Sequence, residues 1–445
     1  MQTRLLSAGV FAAIAALALA GCGKEEPKPA PKAEAPAAPA APPPPPELVV
    51  KIGHVAPLTG NIAHLGKDNE NGARLAVDDL NAMGIVVDGK KLKFELVGED
   101  DQADPKTGTV VAQKLVDAKV NAVVGHLNSG TTIPASKIYN DAGIAQISPS
   151  ATNPTYTQQG FKTAFRVMAN DVQQGSVLGE YAAKNLKAQT IAIIDDRTAY
   201  GQGLADEVEK AAKAAGAKIV AREFTKNDAT DFTAILTKIK GKKPDVIFYG
   251  GMDAQAGPML KQIKTLGIKS KYLTGDGGCS PELIKLAGDA AEGIYCSQAG
   301  LPLDKMPRGA DFAKRYKDKF NTDVQIYAPY SYDAVLVIAD AIKRANSAEP
   351  AKIVAALPAT ATDGVTGKVQ FDEKGDVKNG AITVYTVKGG KLEVLEVQGG
   401  SPMAQAVSAV KAEVKEAVKE AEKAAGDAAK AVEKEVKKVE EAVKK

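Results

Sequence analysis

The chain has 445 residues, too many for one ordinary domain and enough for two lobes with full cores. Hydrophobic residues make up 44%, which excludes a wholly disordered chain. The 57 basic and 54 acidic residues leave a net charge of +3, which supplies no strongly basic face for nucleic acid. With no Trp and only His54, His64 and His126, chemistry built on histidine clusters is poorly supplied, and no metal or cofactor is expected.

The chain opens like an export signal. Arg4 gives a positive start, residues 5–19 form an apolar run, and Leu19-Ala20-Gly21-Cys22 resembles the lipobox of bacterial lipoproteins. The run is at the short end for a spanning helix and is followed by small residues, as at a cleavage site. Residues 1–21 are therefore read as a signal peptide and Cys22 as the lipidated first residue of the mature chain. Residues 22–47 are rich in Pro, Ala, Lys and Glu and end in five prolines at 42–46. Such a segment buries no core and reads as an extended tether, at roughly 3 Å per residue in polyproline form.

From 48 to 398 strands and helices alternate. Leu48-Val49-Val50-Lys51-Ile52-Gly53 predicts a strand, and 69–83 a helix with Ala73, Ala76, Val77 and Leu80 on one face. Strands at 93–97, 121–125 and 145–148 follow, with helices near 105–118 and 132–142 between them. A second series has strands at 190–194, 218–220, 245–249 and 271–273, with helices near 201–215, 230–240 and 254–266. Strands joined by crossover helices imply parallel sheets covered on both faces, and two series imply two doubly wound lobes. Their ligand site belongs at the carboxyl ends of the strands. Residues 368–372, 381–387 and 391–395 predict further strands, the last two an antiparallel pair around Gly389-Gly390.

Cys279 and Cys296 lie 17 residues apart, in no C-x-x-C pattern. Export would place them where disulfides form, so a bridge between them is expected; the alternative is two small buried thiols. Gly201-Gln202-Gly203 suggests a dinucleotide loop, but Asp206 stands where the third glycine is needed. Residues 399–445 read as a charged tail. Small apolar residues from Val407 to Val443 recur in ten steps over 36 residues, the period of a plain α-helix.

Several stretches resemble the leucine/isoleucine/valine-binding family of type I periplasmic binding proteins. They are Gly125-His126-Leu127-Asn128-Ser129-Gly130-Thr131-Thr132, Ile147-Ser148-Pro149-Ser150-Ala151-Thr152, Asp195-Asp196 with Tyr200-Gly201-Gln202-Gly203, and Phe371-Asp372-Glu373-Lys374-Gly375-Asp376. The likeness is collinear from about 48 to 398. It implies an α/β fold of two lobes joined by three crossings near 169, 300 and 366. The N-terminal lobe is then 48–169 plus 301–366, and the C-terminal lobe 170–300 plus 367–398.

By the family pattern, Ser129 and Thr152 hold the carboxylate of a free amino acid, while the Ser150 carbonyl and Asp276 hold its ammonium. Taken singly, helix capping would explain the first two and a turn Asp276. Tyr200 and Tyr327 match aromatic positions of the cleft. Leu127 and Asn128 border the side-chain end. Leu65 and Met252 stand where branched-chain binders often carry Tyr, and Asp276 where Glu is usual. The implied protein is no enzyme but a monomeric, lipid-anchored solute-binding protein that hands its ligand to the permease of an ABC transporter. A sensory or regulatory protein for an amide or other small solute would carry the same fold.

Overall fold

The computed structural model describes residues 44–400; the signal segment, Cys22, most of the tether and nearly all of the tail lie outside the described residues. The first lobe is built on strands β1 (Glu47–Ala56), β2 (Val86–Val87), β3 (Lys90–Asp100), β4 (Ala122–Gly125), β5 (Ala145–Ser148) and β6 (Ala164–Arg166). Helices α1 (Ala63–Met83), α2 (Pro105–Asp117) and α3 (Ser129–Asp141) make the crossovers. The strand order is β2-β3-β1-β4-β5-β6, parallel except for β2. β4 and β5 are buried along their whole length, as expected of strands covered on both faces.

The second lobe begins with α4 (Asp171–Glu180). It continues through β7 (Thr190–Asp195), α5 (Ala199–Ala214), β8 (Lys218–Phe224), α6 (Thr233–Lys242), β9 (Val246–Gly250), α7 (Asp253–Thr265), β10 (Lys271–Thr274), α8 (Pro281–Ala287) and β11 (Tyr295–Ala299). The chain then returns with α9 (Gly309–Phe320), α10 (Ala328–Ala345), α11 (Pro350–Ala356), β12 (Thr362–Asp363) and β13 (Lys368–Val369). It closes the second sheet with β14 (Ala381–Lys388) and β15 (Lys391–Gly399), in the order β15-β14-β11-β10-β9-β7-β8. β14 and β15 are antiparallel and turn at Gly389 and Gly390, whose φ values of 57° and 70° suit glycine.

In the first sheet the order in which strands are added reverses between β1 and β4, and in the second between β7 and β9, all of these strands running parallel. The loops leaving the carboxyl ends of these strands border the crevice that such a switch opens. Cys279, just past β10, and Cys296, in β11, form a disulfide and pack with Tyr385.

Two features depart from the sequence reading. Helix α1 starts at Ala63 rather than 69, because Asp68 turns inward and accepts backbone N–H bonds from Gln325, Ile326, Tyr327 and Ala328 at the start of α10. β13 is two residues long and pairs with β12, not with the β14–β15 hairpin. Further on, the Arg166 N–H binds the Gly375 carbonyl at 2.9 Å, so residues 375–376 ride on the edge of the first sheet.

Candidate functional site

Each predicted site residue stands on a loop at the carboxyl end of a strand or at a helix start. Leu65 follows β1, Leu127, Asn128 and Ser129 follow β4, and Ser150 and Thr152 follow β5. From the second lobe, Tyr200 follows β7, Met252 follows β9 and Asp276 follows β10. Tyr327 sits at the cap of α10, held by its own N–H bond of 2.7 Å to Asp68.

Local capping does not account for the key side chains. Ser129 is the first residue of α3, not its cap, and its buried Oγ accepts the Asn153 N–H at 3.2 Å. The Thr152 hydroxyl is fully buried and without a hydrogen-bond partner. Asp276 is 1% exposed, and its carboxylate faces away from its own turn. Its Oδ1 accepts the Tyr200 hydroxyl at 2.9 Å and its Oδ2 the Tyr327 hydroxyl at 2.8 Å. Burial raises the Asp276 pKa against the pull of these tyrosines. Gly277 allows the close fit: its N–H donates to the Tyr200 oxygen at 2.9 Å, and a Cβ there would meet Met252 Sδ at 2.7 Å.

Ser150 Oγ accepts from Asn69 Nδ2 at 3.1 Å, which fixes the 149–152 loop on its inner side. Arg166 fixes it on the other. This fully buried guanidinium donates to the Ala151 and Asn153 carbonyls at 2.8 and 2.9 Å, and to Asp376 through Nε and Nη2. Nε and Nη2 converge on Oδ1 of Asp376 while Nη1 serves both carbonyls, a division that the planar, multi-donor Arg fork permits.

A cavity of about 480 Å³ opens between the lobes. Its wall includes Asn128 and Gly130 on one side and Tyr200, Met252, Arg197 and Gln255 on the other. Ser129, Thr152, Asp276 and Tyr327 are buried and are not part of that wall. Leu65 and Leu127 are likewise buried, in the main apolar core with Met252.

Two buried polar residues beside the predicted site escaped the sequence reading, both near the start of α4. Asp171 and Gln174 are fully buried, and neither side chain makes a hydrogen bond of good geometry. Desolvation pushes the Asp171 carboxyl up to about 8, with the Thr152 side chain pulling it down and the Asp276 charge adding to the rise. The Asn170…Gln173 capping box does mark a helix start in the sequence. Nothing local tells that the next side chain is buried beside Thr152 and Asp276.

Buried polar atoms without partners are rare, and a group of them between two lobes marks a place for a polar ligand. Among those of the described residues, Thr152 Oγ1, Asn128 Oδ1, the Asp171 carboxylate and the Gln174 amide lack hydrogen bonds of good geometry, although Thr152 lies against Asp171 and Gln174 against Asp276. Donors, acceptors and two carboxylates converge without a nucleophile–base pair. The two sheets and the crevice at both switch points give the chain the two-lobed architecture of a solute-binding protein.

The chain belongs to the periplasmic binding protein family, whose family model matches residues 49–391. It is 38% identical over 337 residues to the Leu/Ile/Val-binding protein homolog 1 of Brucella abortus (strain 2308), covering 76% of this chain and 90% of that one. It is 37% identical over 338 residues to the leucine-, isoleucine-, valine-, threonine-, and alanine-binding protein of Pseudomonas aeruginosa, covering 76% and 89%. A solved branched-chain amino acid transporter substrate binding protein of Streptococcus pneumoniae, in complex with isoleucine, matches with a TM-score of 0.72 and 31% identity, over 79% of this chain and all of that one. Proteins of this family work outside the cytoplasm, and among the described residues no helix is long and apolar enough to cross a membrane.

Proposed function

We propose that the cleft captures a free L-amino acid with an aliphatic side chain, leucine, isoleucine or valine before others, and delivers it to the permease of an ABC transporter. The observation that carries this reading is the unpaired polar set beside Asp276, which matches the needs of a zwitterion. Ser129 and the Thr152 hydroxyl supply donors for the carboxylate. The Ser150 carbonyl, Asp276 and Asp171 supply acceptors for the ammonium. Leu127, Asn128, Met252 and Tyr200 border the side chain, with Leu65 behind them. The names of the relatives, which include threonine and alanine binding, support a small or branched side chain.

Closure follows from the placement of these groups. Ser129, Thr152 and Tyr327 come from the first lobe and Tyr200 and Asp276 from the second, so one ligand satisfies both only when the lobes meet. That differential affinity drives the hinge, and the closed surface is what the permease reads. A lipid on Cys22 and the tether would hold the body near the membrane, and several acyl chains on one residue suffice for stable anchoring. Calorimetry with L-leucine on Asp276→Asn and Thr152→Val tests the head-group assignment. Both variants should lose binding by on the order of tenfold or more, and wild-type affinity in either would overturn the assignment.

A further inference from the structure

The three histidines found different partners. His54 and His126 are fully buried within the first lobe, beside Asn69 and Asp101 respectively. His64 instead reaches across the cleft. It stands on the first turn of α1, and its Nε2 lies 2.7 Å from Oδ2 of Asp253, the first residue of α7 in the second lobe. Asp253 is wholly buried, and the same oxygen accepts the Ser280 hydroxyl at the cap of α8. Met252, beside Asp253, lines the ligand cavity, so this contact closes the cleft at its edge.

We propose that the His64 imidazolium and the Asp253 carboxylate form a proton-dependent latch between the lobes, which strengthens closure, and therefore ligand capture, as the surroundings acidify. Oδ2 of Asp253 takes both the Ser280 hydroxyl from its own lobe and His64 from the other, while Oδ1 is buried without a hydrogen-bond partner. The charges facing His64 are Asp253 from α7, Glu282 from α8 and Asp68 from α1 itself, all acidic. Burial works against protonation, but the hydrogen bond and charge of Asp253 more than offset it, and the His64 pKa is raised above 6.5.

The sign follows directly. Opening the lobes returns His64 toward its ordinary value, so the latch is complete below about 6.5 and is lost as pH rises through the raised value. An extracytoplasmic protein meets such changes of pH. The consequence for capture rests on the function proposed above; the ion pair itself does not.

Two measurements on the full-length chain decide it. Histidine-labelled NMR resolves three imidazoles, and His64 should titrate above its free value and fall back in Asp253→Asn. The calorimetric Kd for L-leucine, measured from pH 8.5 to 5.5, should give a ratio of His64→Gln to wild type that grows about two- to fivefold as pH falls, the range for a partly exposed ion pair. An ordinary His64 titration curve, unchanged in Asp253→Asn, would overturn the latch, as would a ratio constant across pH. If Asp253→Asn does not fold, the wild-type titration and His64→Gln, at a site 23% exposed, still decide. If no amino acid binds, the function reading fails while the NMR titration still judges the ion pair.

Discussion

The Tyr327 hydroxyl donates to Oδ2 of Asp276 across the cleft at 2.8 Å, while Tyr200 donates to Oδ1 from the same lobe as Asp276. One carboxylate is thus shared between a donor from its own lobe and a donor from the other. Tyr327→Phe removes the second. Ligand affinity should fall on the order of tenfold, because a hydrogen bond to a charged group is worth about 1.5–3 kcal/mol. Titration calorimetry with L-leucine checks this, and an unchanged Kd would remove Tyr327 from the closing machinery.

Asp171 makes the ligand-free protein sensitive to pH. Its carboxyl titrates near 3.8 when unfolded and is pushed up to about 8 when folded and empty. Between those values the folded chain binds the extra proton, so stability falls as pH rises from about 4 to about 8. Thermal melts of ligand-free protein should show a shallower decline across that window in Asp171→Asn. Parallel curves for the two proteins would contradict it.

Arg166 joins the Thr152 loop to the returning segment through Ala151, Asn153 and Asp376. Arg166→Met leaves Asp376 buried without its cation and frees the loop. Urea unfolding should report a loss of about 3–5 kcal/mol, and surviving protein should bind ligand more weakly.

Reduction of the Cys279–Cys296 bridge opens a loop of 17 residues. The Cys279→Ala, Cys296→Ala double variant should lose about 3 kcal/mol. Equal denaturation midpoints for variant and oxidised wild type would show that the bridge adds nothing to stability.

The alternating strands were legible because each is a short apolar run between turn residues, and parallel strands covered on both faces need nothing more. Strand β7, Thr190–Asp195, needed only its Ile-Ala-Ile-Ile core to be placed. Helix α10 was not assigned, although thirteen of its residues are buried, because polar Ser331 and Asp333 break its apolar face. Asp333 is there to bind the Val365 and Thr366 N–H groups just before β13. The same logic hid the start of α1, residues 63–68, where Asp68 serves α10 rather than its own helix.

At the site, the family resemblance picked out residues that local chemistry alone would have read as caps and turns. What it could not supply was partnership over long separations. His64 and Asp253 are 189 residues apart, and Asp171 matters through Thr152 and Asp276, which only the folded cleft brings near.

Calorimetric titration of the full-length protein, stripped of copurified ligand by unfolding and refolding, against all twenty amino acids is the most direct test. Tight binding of one or a few aliphatic L-amino acids, lost in Asp276→Ala and Ser129→Ala, is the predicted result. Binding by none of the twenty would contradict the head-group assignment and with it the proposed function.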